Sequence, residues 1–209
     1  MDPTLWLAFA AASAALLMIP GPTILLVMSY ALGQGRRVAI ASAAGVALGD
    51  AVAMTASLVG LGALVLASAT LFTALKWIGA AYLLWMGWTM WRSAGSAALP
   101  GMADVTPVPA RRVFRHAAIV TALNPKSIVF FIAFVPQFVR PDAPLMPQFA
   151  VLTTTFVTLA TLNALGFALL AGALRDRLRR PGALRALTRV GGGALMAMGA
   201  ATALTRRAA

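Results

Sequence analysis

Two proline-containing breaks interrupt hydrophobic stretches of this chain, one at Pro20-Gly21-Pro22 and the other at Asn124-Pro125-Lys126. Because proline has no backbone N–H, the carbonyls of Leu16, Met18 and Thr121 would each lose their helical hydrogen-bond partner. A membrane tolerates such backbone only where it lines a cavity or is buried in protein. Breaks in matching positions of two halves of a chain are typical of the substrate site of a secondary transporter.

The composition indicates an integral membrane protein. Of 209 residues, 61% are hydrophobic and 11% are charged, and the mean hydropathy is +0.87, which is far too apolar for a soluble domain. Each of five apolar runs is long enough to cross a hydrocarbon core of about 30 Å: residues 5–32, 38–67, 71–91, 113–138 and 146–174. These runs are continuous rather than alternating, which excludes a transmembrane β-barrel.

A sixth apolar run, residues 190–204, is short. At about 1.5 Å per residue it would reach only ~22 Å. We therefore expect this helix to begin near Leu184, with Arg185 and Arg189 extending to the lipid headgroups. The sequence predicts an all-α membrane protein with six transmembrane helices.

The net charge of +12 resides mostly in alternate loops. Arginines follow the first span and lie between spans three and four and between spans five and six, whereas the opposite loops carry few charges. The positive-inside rule then predicts that both termini face outward, with Arg206 and Arg207 as the exceptions. This clustering favours contact with membrane lipid and argues against a nucleic-acid partner.

The segment 92–112 is the longest polar stretch and contains several Pro, Gly and Ser residues, so it is predicted to be a cytoplasmic linker. It separates residues 1–91 from residues 113–209, each with three predicted spans. Because three is an odd number of crossings, the two halves would have inverted topology. The breaks in helices one and four occupy corresponding positions, as a duplicated three-helix unit predicts.

Each break is predicted to begin a new half-helix. Pro22 and Pro125 suit the first helical position, and Gly21 and Asn124 precede them as caps. The free N–H groups that follow, from Thr23 and from Lys126 onward, carry partial positive charge that suits a substrate carboxylate. The alternative is a pair of plain proline kinks packed without a ligand; two breaks in register favour the site.

Asp50 is the only acidic residue within a predicted span. An ionisable group at that depth is a functional candidate, either to bind a substrate ammonium or to carry the coupling proton. The alternative is a structural ion pair with Lys126 or a hydrogen bond to a helix-break amide. Lys126 could itself pair with Asp50, hold a substrate carboxylate, or extend to the cytoplasmic headgroups.

Other polar and small residues are assigned mainly to packing. Small residues recur every four positions in the second predicted span, and this spacing lets a broken helix approach closely. It is also compatible with a homodimer. These residues are Ala41, Gly45, Gly49, Ala53 and Ser57. Asn163 needs a hydrogen-bond partner, and we favour a neighbouring helix over a substrate in that role. His116 is expected to be a surface residue rather than a proton relay.

The residue inventory argues against an enzyme. The chain has no cysteine, one histidine and five acidic residues, so it offers no cluster of nucleophile, base and acid. The same scarcity predicts no metal site and no cofactor, and it argues against a divalent metal as cargo.

The chain resembles the LysE/RhtB family of bacterial amino-acid exporters over nearly its whole length. The resemblance is carried by these stretches: Ile19 to Pro22, Gly45 to Asp50, Gly60 to Gly62, Lys76 with Gly79 to Leu84, Asn124 to Lys126 with Phe130-Phe131, and Pro136 to Val139. Where the family usually has Asn or Asp after Pro-Gly-Pro, this chain has Thr23, whose hydroxyl can donate and accept.

The resemblance implies export of an amino acid or close derivative across the bacterial cytoplasmic membrane in exchange for protons, with no ATPase and no soluble binding protein. The residues then expected at the substrate site are Gly21, Pro22, Thr23, Asp50, Asn124, Pro125 and Lys126, with Asp50 as the proton-coupling group. Two alternatives stay open: an exporter of another small solute or cation, and a membrane scaffold that transports nothing.

Overall fold

The computed structural model describes residues 1–18, 21–34, 36–67, 69–94, 108–140, 142–178 and 181–204, and this part of the chain is helical with no strand. The α-helices in chain order are α1 (Pro3–Met18), α2 (Pro22–Gln34), α3 (Arg36–Ala67), α4 (Ala69–Ser93), α5 (Ala110–Ala122), α6 (Pro125–Val129), α7 (Leu145–Leu178) and α8 (Pro181–Leu204). A π-helical turn, Phe130–Phe134, and a 3₁₀ turn, Val135–Phe138, follow α6. The all-α prediction is confirmed for the described residues, and α8 begins slightly before the predicted Leu184.

Several of these helices are long and apolar enough to cross a membrane. Arg37–Gly60 of α3 and Leu145–Leu170 of α7 each qualify alone. Two bent pairs qualify when each counts as one span: Pro3–Met18 with Thr23–Ala31, bent by 56°, and Ala110–Ala122 with Pro125–Phe138, bent by 41°. The described residues therefore give two to four candidate spans, and the prolines predicted to break the chain lie at both bends.

Helix α3 packs closely on α5 through its small residues. A methyl group placed on Gly49 would lie 2.6 Å from the Ala118 carbonyl oxygen and 2.7 Å from Cβ of Thr121, and one on Gly45 would collide with the Phe114 carbonyl oxygen. Because lipid tails are as apolar as the side chains, close backbone approach replaces hydrophobic burial as the force between such helices. The sequence predicts that the second span, here α3, packs against a broken span, and its packing on α5 confirms this.

A second close contact joins α4 to α8. A methyl group on Gly87 would lie 2.5 Å from the Gly192 carbonyl oxygen, and one on Gly192 would lie 2.5 Å from the Gly87 carbonyl oxygen. Two turns further on α8, Gly199 meets the backbone of α4 at Ala80. Glycine is required on both sides of this contact because no side chain fits between the two backbones.

The segment after α6 carries much of the aromatic core. Phe130 and Phe131 are fully buried, and the ring of Phe131 meets that of Phe156 on α7 edge to face, with centroids 4.8 Å apart. The run 113–138 predicts an ordinary helix after its break, but the α-helical pattern stops at residue 130. Pro136 accounts for part of this, because it cannot donate to the carbonyl of Ile132.

Candidate functional site

The first helix break separates α1, which ends at Met18, from α2, which begins at Pro22. The carbonyl of Gly21 accepts the N–H of Leu25 at 3.0 Å, which is the first hydrogen bond of the new helix. Gly21 is therefore the N-cap of α2, as the sequence predicts. The carbonyl end of α1 and the amide end of α2 face the same break, so it offers a partial negative and a partial positive charge.

The second break lies between α5, which ends at Ala122, and α6, which begins at Pro125. Asn124 is the N-cap, and its Oδ1 accepts the N–H of Lys126 at 3.1 Å. The Thr121 carbonyl, which Pro125 deprives of a helical partner, accepts the N–H of Asn124 at 3.0 Å. This break thus satisfies part of its own backbone, and the predicted capping role of Asn124 is confirmed.

The two breaks meet in the interior of the molecule. Nδ2 of Asn124 donates to Oγ1 of Thr23 at 3.1 Å, and the hydroxyl of Thr121 donates to the same atom at 3.4 Å. All three side chains are buried. A cap residue of one half-helix is therefore bonded directly to the first turn of the other.

Side chains from distant elements also bond the free carbonyls at the end of α1. Nζ of Lys126 donates to the Leu16 carbonyl at 3.2 Å, and Nδ2 of Asn163 on α7 donates to the Leu17 carbonyl at 3.0 Å. The bond made by Asn163 agrees with the prediction that it packs against a neighbouring helix. Two carbonyls at the end of α1, those of Leu16 and Leu17, thus gain donors from distant elements of the fold.

Lys126 points into the break rather than toward the membrane surface. Its residue is only 6% exposed, and Nζ would lie 3.3 Å from a methyl group placed on Gly21. The alternative in which Lys126 extends to the cytoplasmic headgroups is therefore wrong. A residue in the first turn of α6 reaches the break on the other span because glycine leaves space for its ammonium group.

Asp50 of α3 is 3% exposed, and its Oδ1 has no hydrogen-bond partner among the described residues. The carboxylate and the Lys126 ammonium attract each other across the space between α3 and α6. Burying a carboxylate oxygen without a donor is costly, so such a group usually has a functional reason.

A small cavity of about 20 Å³ connects these groups. It is bounded by α1, α2, α3, α6 and α7, and five predicted site residues line it: Gly21, Thr23, Asp50, Asn124 and Lys126. The Pro125 side chain is exposed, so its part is to begin α6, and the Pro22 side chain lies outside the described residues. A volume of this size holds roughly one water molecule.

A larger, basic cavity of about 790 Å³ lies where α2 and α5 approach one another. Arg111, Arg112 and Arg115 line it, together with Tyr30 and His116, whose Nδ1 lies 2.8 Å from the Tyr30 hydroxyl. His116 is exposed, as predicted for a surface residue. In the described part of the chain, no group of three or more His, Cys, Asp or Glu side chains could hold a metal ion.

The family model of the LysE type translocator matches residues 14–206. The chain belongs to this family. The translocator is 36% identical over 203 residues to a homoserine/homoserine lactone efflux protein of Salmonella typhimurium, an alignment covering 97% of this chain and 98% of the relative. It is 34% identical over 199 residues to an uncharacterized membrane protein of Vibrio cholerae, with 95% and 96% covered. It is also 32% identical over 163 residues to a leucine efflux protein of Salmonella choleraesuis, with 76% and 74% covered.

No solved structure matches the translocator. Its family is one of translocators and the two Salmonella relatives are efflux proteins, so the translocator is a transporter and not an enzyme. The sequence prediction of the family is confirmed.

Sequence reasoning did not find every residue of the site. It marked Leu16 as a carbonyl in need of a partner but did not connect it to Lys126, and it gave no role to Ser127, which is buried beside Lys126 and lines the cavity. Leu17 was also missed, although Pro20 and Pro22 signal that the last carbonyls of α1 are free. Their partners lie more than 100 residues away, and no local pattern shows such a pairing.

Proposed function

We propose that this translocator exports an amino acid or a close derivative across the bacterial cytoplasmic membrane, in exchange for protons and by alternating access. The observation that carries this proposal is the meeting of two helix breaks around one buried carboxylate, with Asn124 bonded to Thr23 and Asp50 beside them. In secondary transporters, broken helices near the bilayer midplane supply such sites.

The charges around the cavity suit a zwitterion. The amide end of α2 and the amides around Lys126 offer partial positive charge to a carboxylate, while Asp50 and the carbonyl end of α1 offer negative charge to an ammonium group. The names of the Salmonella relatives, which mention homoserine, homoserine lactone and leucine, support small amino acids or their derivatives as cargo.

The cavity must enlarge to admit such a solute. Its volume of about 20 Å³ is far below the roughly 300 Å³ at which ligand pockets begin. The described conformation is therefore closed to a solute of this size, and we propose that rearrangement at the two breaks opens it alternately to either side.

The full architecture is proposed as six spans in two inverted three-helix repeats, residues 1–91 and 113–209, joined by the linker 92–112. In such a repeat the second span, α3, corresponds to the fifth, α7, and the third span, α4, corresponds to the sixth, α8. Each of these helices packs on its counterpart, which supports the proposed architecture. Most of the linker lies outside the described residues. A homodimer, if formed, needs a surface other than Gly45 and Gly49, because α5 already covers them.

The test of the proposed function is transport by purified protein in proteoliposomes. Radiolabelled L-homoserine and L-leucine should leave the vesicles faster when a pH gradient drives protons inward, and Asp50→Asn should abolish this efflux while the protein still inserts. The matched control is Asp142→Asn, because the Asp142 side chain is 63% exposed and pairs with Arg140 at the surface; it should leave efflux unchanged.

Two outcomes would contradict parts of this proposal. Efflux by Asp50→Asn at the normal rate and with normal pH dependence would remove Asp50 from the mechanism. If the wild-type protein moved no amino acid, and none shifted its melting temperature in detergent, the scaffold alternative would replace the transporter. Transport of a different solute or cation would keep the fold and change the cargo.

A further inference from the structure

A basic cavity lies between α2 and α5, at the end of this helix pair that is remote from the two breaks. Its volume of about 790 Å³ is within the usual range of ligand sites, and its lining includes Arg111, Arg112 and Arg115. The hydroxyl of Tyr30 on α2 lies 2.8 Å from Nδ1 of His116 on α5, and both side chains line the cavity. The cavity therefore has walls from both helices.

The three arginines of this cavity are exposed, and none of them forms an ion pair with a described residue. Asp142 pairs with Arg140 instead, and Asp50 is buried in the interior. Arginine binds phosphate through a planar fork of donors, often with two parallel hydrogen bonds. A cavity with several arginines and no carboxylate from a described residue beside them therefore suits a phosphate group.

The position of the cavity along the span indicates where such a phosphate comes from. Helix α5 is the first part of a bent candidate span, Ala110–Ala122 with Pro125–Phe138. The first turns of α5 then lie where the span meets the lipid headgroups, on whichever side of the membrane it begins. Basic pockets between spans at this depth are typical binding sites for the headgroups of anionic lipids.

One face of α5 changes from basic to apolar along its length, as a phospholipid does. At helical spacing, this face carries in turn Arg112, Arg115, Ile119 and Leu123. Ile119 is 56% exposed and lines the cavity, and Leu123 is 69% exposed. The helix rises about 16 Å from Arg112 to Leu123, which is enough to pass from a lipid phosphate to its acyl chains. A soluble phosphate compound would leave the apolar part of this face without a contact.

We propose that this cavity binds one anionic phospholipid, with its phosphate held by Arg112 and Arg115 and an acyl chain lying along Ile119 and Leu123. Because Tyr30 of α2 lines the same cavity, the bound lipid contacts both helices that flank the breaks. A ligand that binds the folded protein stabilises it, so the lipid strengthens the packing of this helix pair. The site depends neither on the identity of the cargo nor on the exchange of protons.

The test is a titration of the purified full chain with phosphatidylglycerol in a neutral detergent, with native mass spectrometry to resolve binding of the first lipid molecule. The double variant Arg112→Gln, Arg115→Gln should weaken this binding at least about tenfold, since it removes both guanidinium groups that hold the phosphate. The matched control is Arg185→Gln, Arg189→Gln, which removes two exposed arginines one turn apart on α8 and outside the cavity. It should change the binding by less than about threefold.

Two further ligands separate an anionic lipid from other sources of phosphate. Phosphatidylcholine carries a choline cation that the arginines repel, so it should bind the wild-type protein at least about tenfold more weakly than phosphatidylglycerol. Glycerol 3-phosphate has no acyl chain and should not displace phosphatidylglycerol at millimolar concentration. These comparisons use the wild-type protein, so they decide the question even if the double variant does not fold.

Three results would overturn the inference: equal binding of the two lipids, displacement by glycerol 3-phosphate, or the same affinity for phosphatidylglycerol in both double variants. None of them would bear on amino-acid export, which the efflux assay tests separately.

Discussion

At the residue scale, the site is a short chain of hydrogen bonds between polar groups that each break exposes. Asn124 caps α6 through its Oδ1 and bonds Thr23 through its Nδ2, so one side chain serves both breaks. The amide has one acceptor and two donors in fixed geometry, and it uses both functions here. Thr23 takes part as the acceptor through its hydroxyl oxygen.

We predict that Asn124→Ala lowers the free energy of unfolding by about 1 to 2 kcal/mol, because α6 loses its cap and Thr23 loses a buried donor. Asn124→Ser should recover about half of this, since serine caps a helix but is too short to reach Thr23. The measurement is the unfolding transition in detergent. A cycle with Thr23→Val isolates the bond between the breaks, and additive effects of the two substitutions would show that it contributes nothing.

At the scale of the helices, glycine decides which surfaces come together. Within α3, Gly49 faces the backbone of α5 at close range, whereas a methyl group on Gly60 would meet nothing within 4 Å. The two glycines therefore differ in their structural role: Gly49 is required by a helix contact, and Gly60 is not. The first sets the distance between α3 and the broken span, and it thereby fixes where Asp50, the next residue, stands relative to the breaks.

We expect Gly49→Ala to destabilise the protein by roughly 1 to 3 kcal/mol, as overpacking of a close helix contact does. Gly60→Ala is the matched control and should be neutral or stabilise by up to about 1 kcal/mol, since alanine is the better helix former. Thermal unfolding in detergent measures both variants. Equal effects of the two substitutions would show that the contact between α3 and α5 does not constrain the fold.

At the scale of the whole molecule, polar groups mark two opposite ends. One end holds the start of α1 and the turn before α7, where the charges of Asp2 and Arg140 attract each other. The other end holds the C-terminal end of α2 and the start of α5, where the side chain of Gln34 accepts the N–H of Val108 at 2.7 Å. The arginines of α5 lie at this second end, which the positive-inside rule predicts to face the cytoplasm.

The orientation can be tested by labelling, since the chain has no cysteine of its own. We predict that Thr4→Cys and Asp142→Cys react with a membrane-impermeant maleimide in intact spheroplasts, and that Arg111→Cys reacts only after the membrane is opened. All three side chains are exposed in the structure. Labelling of Arg111→Cys in intact spheroplasts would show that the predicted orientation is reversed.

Much of the local structure could be predicted from the sequence. Pro22 and Pro125 begin new helices because proline suits the first helical position and interrupts what precedes it. The deviation after α6 was missed, although Pro136 was visible as a signal. Gln148 was also missed: its side chain bonds both backbone groups of Arg140 and so fixes the turn before α7.

The sequence by itself determined that this chain belongs in a membrane, where its two breaks lie, and that Asp50 and Lys126 stand out as buried charges. Only the tertiary structure decided that Lys126 bonds the Leu16 carbonyl, 110 positions away, and that Asn124 bonds Thr23. The physical reason is that a proline removes a hydrogen bond locally, through its own covalent structure. The replacement partner is whichever donor the packing of distant helices brings within reach.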